Sequence, residues 1–282
     1  SFSELIVQRI DLDNNRYILR SADGGYCNLK HVSADQPIST PFLLLILQMF
    51  NLTLNKCNLC DVRKEASVCD PEEWKHQFWK MYSPKQAEDA LFKAAQTGDT
   101  TLASWLVDII GTNVNALNEN SLTPLHVAAE NGHSEVVQFL LDKKAFLEAQ
   151  DKWKWVPLHY CAWKGHIKAC AALVKAGATL DRQTHDGRTP LHRAADGGFL
   201  EIANILLDNG ENPNLRDNWE WTPLFYAAWK GHLSMCKLLV DKGVDPKAWS
   251  NNKDWKGSPV TWAKKNNHVS VVEYLESKGA RI

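Results

Sequence analysis

The sequence predicts a mainly α-helical solenoid of stacked helix-turn-helix units with β-turn tips, preceded by a small α+β N-terminal domain. Three observations carry that reading. Pro124, Pro157, Pro190 and Pro223 recur every 33 residues, and Pro259 follows after 36. A glycine trails each of the first four at a constant distance, at Gly132, Gly165, Gly198 and Gly231. The 282 residues are 44% apolar and 23% charged, the balance of a folded chain rather than of a disordered or collagen-like one.

Residues 1–83 stand outside the period. The apolar stretch Leu5 to Leu12, the polar Asp13-Asn14-Asn15 and the stretch Arg16 to Arg20 predict a β-hairpin, with a third strand after Gly24-Gly25. Helices are expected after Thr40-Pro41 and from Asp70-Pro71, where an acidic N-cap precedes proline. Ser83-Pro84-Lys85-Gln86 has the spacing of a capping box, and Leu91 to Asp99 keeps the helix-then-glycine cadence of the later units.

Each later unit opens on one phrase: Thr123-Pro124-Leu125-His126, Val156-Pro157-Leu158-His159, Thr189-Pro190-Leu191-His192, Thr222-Pro223-Leu224-Phe225 and Ser258-Pro259-Val260-Thr261. Threonine caps the helix, and proline fits its first position, where the missing N–H costs nothing. The trailing glycine breaks that helix, and a second one follows with apolar spacing, as at Val137, Leu140 and Leu141. A helix pair this small cannot bury its own apolar face, so stability must come from stacking.

The phrase and its period resemble the ankyrin repeat. Six repeats are expected over an 84–282 domain: 84–117, 118–150, 151–183, 184–216, 217–249 and 250–282. The first lacks the opening phrase. In the last, Lys264, Lys265, Asn266 and Asn267 replace the Ala-rich helix end, as a solvent-facing cap requires, so the array reads as ending there.

The resemblance implies that partners lie in a concave groove formed by turn tips and first helices. Its variable sites read Lys152, Trp153, Trp155, Trp163 and Lys164 in the third repeat, and Asn218, Trp219, Trp221, Trp229 and Lys230 in the fifth. Trp255 takes a turn site in the sixth, so seven of the 12 tryptophans fall on groove positions. Tyr160, Tyr226 and Trp262 lie on first helices nearby, while Trp105 is expected in the core. Clustered exposed indoles are the composition of binding hot spots. The intervening repeat adds His185, Asp186, Arg188 and Asp196.

Asp196 is expected between the Trp163 and Trp229 rings, where a methylated or other cationic side chain could meet one indole face. The two rings are roughly 20 Å apart, too far to clamp one cation, so an extended peptide is the stronger expectation. Lys152, Lys154, Lys164 and Lys230 would attract acidic side chains on it.

The remaining signals are bland or local. His126, His159 and His192 belong to the opening phrase, and His133, His166, His232 and His268 sit near mid-repeat, so all read as scaffold. Residues 41–82 resemble an F-box in part, through the apolar Pro41 to Phe50 and the acidic-Trp-Lys run Asp70 to Phe78. That resemblance implies a ubiquitin-ligase adaptor as a second partner and, with ankyrin repeats, an effector delivered into a host cell. Cys57, Cys60, Cys69 and His76 could supply four zinc ligands, but their second pair has no recognised spacing, and buried free cysteines are the plainer reading. Cys27 with His31 lacks an orienting third group for a thiol nucleophile.

A net charge of −1 gives no basic surplus for nucleic acid. The apolar run Phe42 to Phe50 is far short of the roughly 20 residues of a membrane span. Seven cysteines, odd in number and scattered, suit a reducing compartment such as the cytoplasm rather than a disulfide scaffold. No phosphate loop, dinucleotide fingerprint or metalloprotease helix is present, so the chain reads as a non-enzymatic adaptor without cofactor, metal site or catalytic residues.

Overall fold

The computed structural model describes residues 83–281 and the backbone of three strands, β1 (Ile6–Asp11), β2 (Arg16–Arg20) and β3 (Tyr26–Lys30). The strands form one antiparallel sheet in the order β1-β2-β3, with Ile10 opposite Tyr17 and Ile18 opposite Asn28. The F-box-like stretch 41–82, with Cys57, Cys60, Cys69 and His76, lies outside the described residues, as do His31 and the Cys27 side chain.

The chain divides into two compact units, Ser1–Ala87 with Ser104–Gly111, and Glu88–Ala103 with Thr112–Ile282. Helix α1 (Pro84–Thr97) opens with the expected cap, Ser83 N donating to Gln86 Oε1 at 2.8 Å. Helix α2 (Thr100–Ser104) runs into a π-helical turn, Trp105–Ile110, which Gly111 ends in the left-handed region. That wide turn departs from the regular second helix the period predicts, and Trp105 on it is half-buried rather than buried.

Five helix pairs follow: α3 (Pro124–Asn131) with α4 (Ser134–Asp142), α5 (Pro157–Lys164) with α6 (Ile167–Lys175), α7 (Pro190–Gly197) with α8 (Leu200–Asp208), α9 (Pro223–Lys230) with α10 (Leu233–Asp241), and α11 (Pro259–Lys265) with α12 (Val269–Ser277). Every first helix carries proline in its first turn behind an extended residue at Thr123, Val156, Thr189, Thr222 or Ser258. Burial repeats with the same period, through Leu125, Leu158, Leu191 and Leu224 on the first helices and Leu140, Leu173, Leu206 and Leu239 on the second. Each buried leucine is worth about 1.5–3 kcal/mol. Together with their neighbours they make one core from Ala95 to Ala280.

Two histidine ladders join the pairs. His126 Nδ1 accepts from Thr123 N at 3.1 Å while its Nε2 meets Trp155 O at 3.1 Å in the next turn. His192 repeats this with Thr189 N and Trp221 O. Phe225 cannot, and there the Trp221 indole N–H donates to Trp255 O at 3.3 Å instead. In the second ladder His133, His166, His232 and His268 reach back to the carbonyls of Gln96, Glu130, Asp196 and Trp229. Phe199 holds the equivalent position with no ring nitrogen, and its ring covers Gly165.

Candidate functional site

The turn tips of the third and fifth repeats are built by one carboxylate each. Asp151 Oδ1 accepts from Trp153 N and Trp155 N, both at 2.8 Å, and its Oδ2 accepts from the Tyr160 hydroxyl at 2.7 Å. Asp217 does the same for Trp219 N, Trp221 N and the Tyr226 hydroxyl. Aspartate thus fixes the loop that carries the indoles and ties it to the first helix. Neighbouring tips join through backbone bonds, His185 N to Trp153 O at 2.9 Å and Asn218 N to Asp186 O at 3.1 Å.

Two aromatic clusters result. The first has Trp155 5.0 Å from Tyr160 and 5.7 Å from Trp163, centre to centre. The second centres on Trp221, within 6.0 Å of Phe225, Tyr226, Trp229, Trp255 and Trp262. Between them lie two arginines. Arg193 stacks on Trp155 at 4.2 Å, and Arg188 lies 4.7 Å from Trp219 and 4.6 Å from Tyr226. Both reach Asp186, Arg193 Nη2 at 3.1 Å and Arg188 Nε at 3.2 Å, and the Thr184 hydroxyl donates to the same carboxylate. Burial pushes the Asp186 carboxyl up, but Thr184, Arg193 and Arg188 outweigh it and hold the group below its ordinary value.

The groove residues expected from the period divide by exposure. Trp153 and Trp163 are 52% and 41% exposed, and Lys152, Lys154, Lys164 and Lys230 are exposed beside them or two repeats away. Trp155, Trp219, Trp229, Trp255, Arg188 and Asp196 are half-buried. Trp221 is 3% exposed, which corrects its reading as a free groove indole: Trp255 and Trp262 of the next repeat close over it. Tyr160, Tyr226 and Trp262 are likewise buried.

The rings that an incoming cation is expected to meet have charged neighbours within the chain. Cations of the chain itself already lie on the rings: Lys164 on Trp163 at 3.9 Å, Lys230 on Trp229 at 4.3 Å and Lys265 on Trp262 at 4.1 Å. Asp196 does not stand free between indoles, because Lys230 Nζ is 3.8 Å from its Oδ1.

Three residues central to the site escaped the period-based reading. Arg193 breaks a first-helix column otherwise made of Val127, Tyr160, Tyr226 and Trp262, and that break is the signal that could have singled it out. Asp151 and Asp217 could have been found as the shared first residue of the two tryptophan-bearing turns. Of the scaffold histidines, His126, His159 and His192 are buried, and burial lowers all three, holding His159 and His192 down to about 3. Among the described residues no group of three or more His, Cys, Asp or Glu could hold a metal ion. None of their helices is long and apolar enough to cross a membrane.

A family model for ankyrin repeats matches the chain three times, over residues 91–184, 147–217 and 176–250. Cortactin-binding protein 2 of Rattus norvegicus is 40% identical over 62 residues, which is 22% of this chain and 4% of that protein. Alpha-latrocrustotoxin-Lt1a of Latrodectus tredecimguttatus is 37% identical over 65 residues, 23% of this chain and 5% of the toxin. The likeness therefore spans about a twentieth of either relative.

Proposed function

The chain belongs to the ankyrin-repeat family, a fold whose role is protein–protein interaction, and from that premise we propose that it grips a partner protein along its turn tips and first helices. One observation supports this placement above the others. Trp153 and Trp163, two large apolar side chains of a single repeat, stay exposed among Lys152, Lys154 and Lys164, while Trp221 is covered by the chain's own rings. Large exposed indoles beside ordered partners are where binding energy concentrates.

In this reading the module is a non-enzymatic adaptor of a reducing compartment, and an extended peptide segment is its ligand. The described cysteines, Cys161, Cys170 and Cys236, are free and buried, in keeping with that compartment. A role as ligase receptor or delivered effector would need residues 41–82, and an adaptor co-purifying with the full chain but not with residues 84–282 would bring it forward.

The test is partner capture by cross-linking from candidate lysates, with wild type compared against Trp163→Ala and Trp229→Ala. Trp163→Ala is expected to lose partner at unchanged stability, because its ring is open. Half-buried Trp229 is expected to lose stability as well. Full capture by a folded Trp163→Ala and Trp153→Ala double variant would overturn the groove assignment.

A further inference from the structure

Two repeats carry one aromatic set: Trp153, Trp155 and Trp163 in the third, Trp219, Trp221 and Trp229 in the fifth. Their surroundings differ at two positions of the repeat that comes after each. After the later set those positions hold Trp255 and Trp262, whose rings lie 5.6 Å and 5.2 Å from Trp221. After the earlier set they hold Asp186 and Arg193, which pair with each other, and only the Arg193 guanidinium covers Trp155. The later set is therefore filled by the chain itself. The earlier set lacks the added indole, and its Trp153 and Trp163 stay open.

The charged side chains next to the open indoles in sequence are all cations, and the carboxylates Glu130 and Asp186 nearby are each paired with a cation of the chain. Lys152 and Lys154 flank Trp153 and are exposed. Lys164 Nζ stands 3.9 Å from the Trp163 ring centre and 3.6 Å from Glu130 Oε1, with 38% of its side chain still exposed. Asp186 is already engaged by Arg188 and Arg193. A cationic peptide would meet these ammonium groups unfavourably, and an acidic one favourably.

We propose that the open copy seats an aromatic side chain from an acidic segment of the partner against its exposed indoles. This rests on the groove reading of the function and gives the partner a chemistry: one aromatic anchor with carboxylates on either side. The ring packs on the exposed indoles of this repeat, and the carboxylates meet Lys152, Lys154 and Lys164.

The test is fluorescence anisotropy of the full chain with a short fluorescein-labelled peptide, a central phenylalanine flanked by glutamates, against versions with central alanine or lysine flanks. The phenylalanine–glutamate peptide is expected to bind, and to weaken as salt rises. Its affinity should fall at least about tenfold with central alanine or in Trp163→Ala, the loss of a hot-spot anchor. Lys152→Glu with Lys164→Glu should weaken the glutamate peptide and favour the lysine-flanked one. Urea midpoints of the variants, compared with wild type, show that the fold is kept. No binding of the phenylalanine–glutamate peptide, or equal binding with central alanine, overturns the aromatic seat. The groove reading survives that result if the captured partner still depends on Trp163, and falls with it if the partner does not.

Discussion

The guanidinium of Arg193 lies 4.2 Å from the centre of the Trp155 ring, buried between two helix pairs. A cation inside an aromatic wall is costly unless it is paired. Here Asp186 supplies the counter-charge at 3.1 Å, and Arg188 braces the same carboxylate from the turn. The array thus alternates along its inner face: Tyr160 with Trp155, then Arg193 with Asp186, then Tyr226 with Trp221. The arginine repeat couples the open aromatic copy to the closed one.

Removing the Arg193 side chain should therefore cost twice, through an uncovered Trp155 and a carboxylate left to Arg188 alone. Arg193→Ala is expected to destabilise the array by about 2–4 kcal/mol. Arg193→Met, which refills the space over the indole, should recover much of that loss. Urea unfolding midpoints at unchanged slope measure both. Equal losses in the two variants would assign the effect to charge rather than to covering the ring.

Glu211 gives the array a pH dependence with a definite sign. It stands in a column otherwise filled by Ala145, Ala178, Val244 and Ala280, is 2% exposed, and its Oε1 accepts from Leu191 N at 2.9 Å while Thr189 and Asp181 face it. Burial pushes its carboxyl up to about 8 from an ordinary 4.5. The folded chain then keeps a proton that the unfolded chain has released. The stability this proton contributes is complete below pH 4.5 and is lost as pH rises through about 8, at up to about 1.4 kcal/mol per pH unit. His159 and His192 act oppositely: held down to about 3 against an ordinary 6.5, they make stability fall as pH drops below 6.5. Thermal unfolding of Glu211→Gln should lose the alkaline decline and keep the acidic one.

The difference between legible and hidden features is one of range. The opening phrase, the caps and the leucine ladder are local or strictly periodic, so Pro124, Thr123 and Leu125 announced their roles directly. The turn positions of the indoles were equally legible. Their exposure was not, because it depends on the next repeat: Trp155 and Trp221 occupy equivalent sites, yet one faces Arg193 and the other Trp262. The cations over the rings were hidden for the same reason. Lys164 and Lys230 sit next to their tryptophans in sequence, but whether a lysine folds over an indole or points to solvent is a matter of side-chain geometry.

Gly165 and Gly177 separate backbone strain from crowding. Both have positive φ, +84° and +90°, so an alanine at either costs about 1–2 kcal/mol for the left-handed backbone. A Cβ on Gly177 meets nothing within 4 Å, whereas one on Gly165 would stand 2.6 Å from the Phe199 ring. Gly165→Ala is therefore expected to cost at least about 1 kcal/mol more than Gly177→Ala. A double-mutant cycle with Phe199→Ala checks the cause: the excess should vanish once the ring is gone.

Lys154 allows stability and binding to be pulled apart. It holds the left-handed tip of its turn at φ +61°, a place that Gly187 takes in the next repeat. Lysine there carries about 1–2 kcal/mol of steric cost, and glycine would return part of it to the unfolded chain's entropy. Lys154→Gly is thus expected to stabilise the array by about 0.5–1 kcal/mol, read as a higher urea midpoint. The same change removes an exposed ammonium beside Trp153 and should weaken the acidic aromatic peptide roughly two- to fivefold. A residue kept only for the fold would show no such opposition. If both stability and affinity rise in Lys154→Gly, the lysine at this tip has no part in recognition, and the attraction for carboxylates must be carried by Lys152 and Lys164 alone.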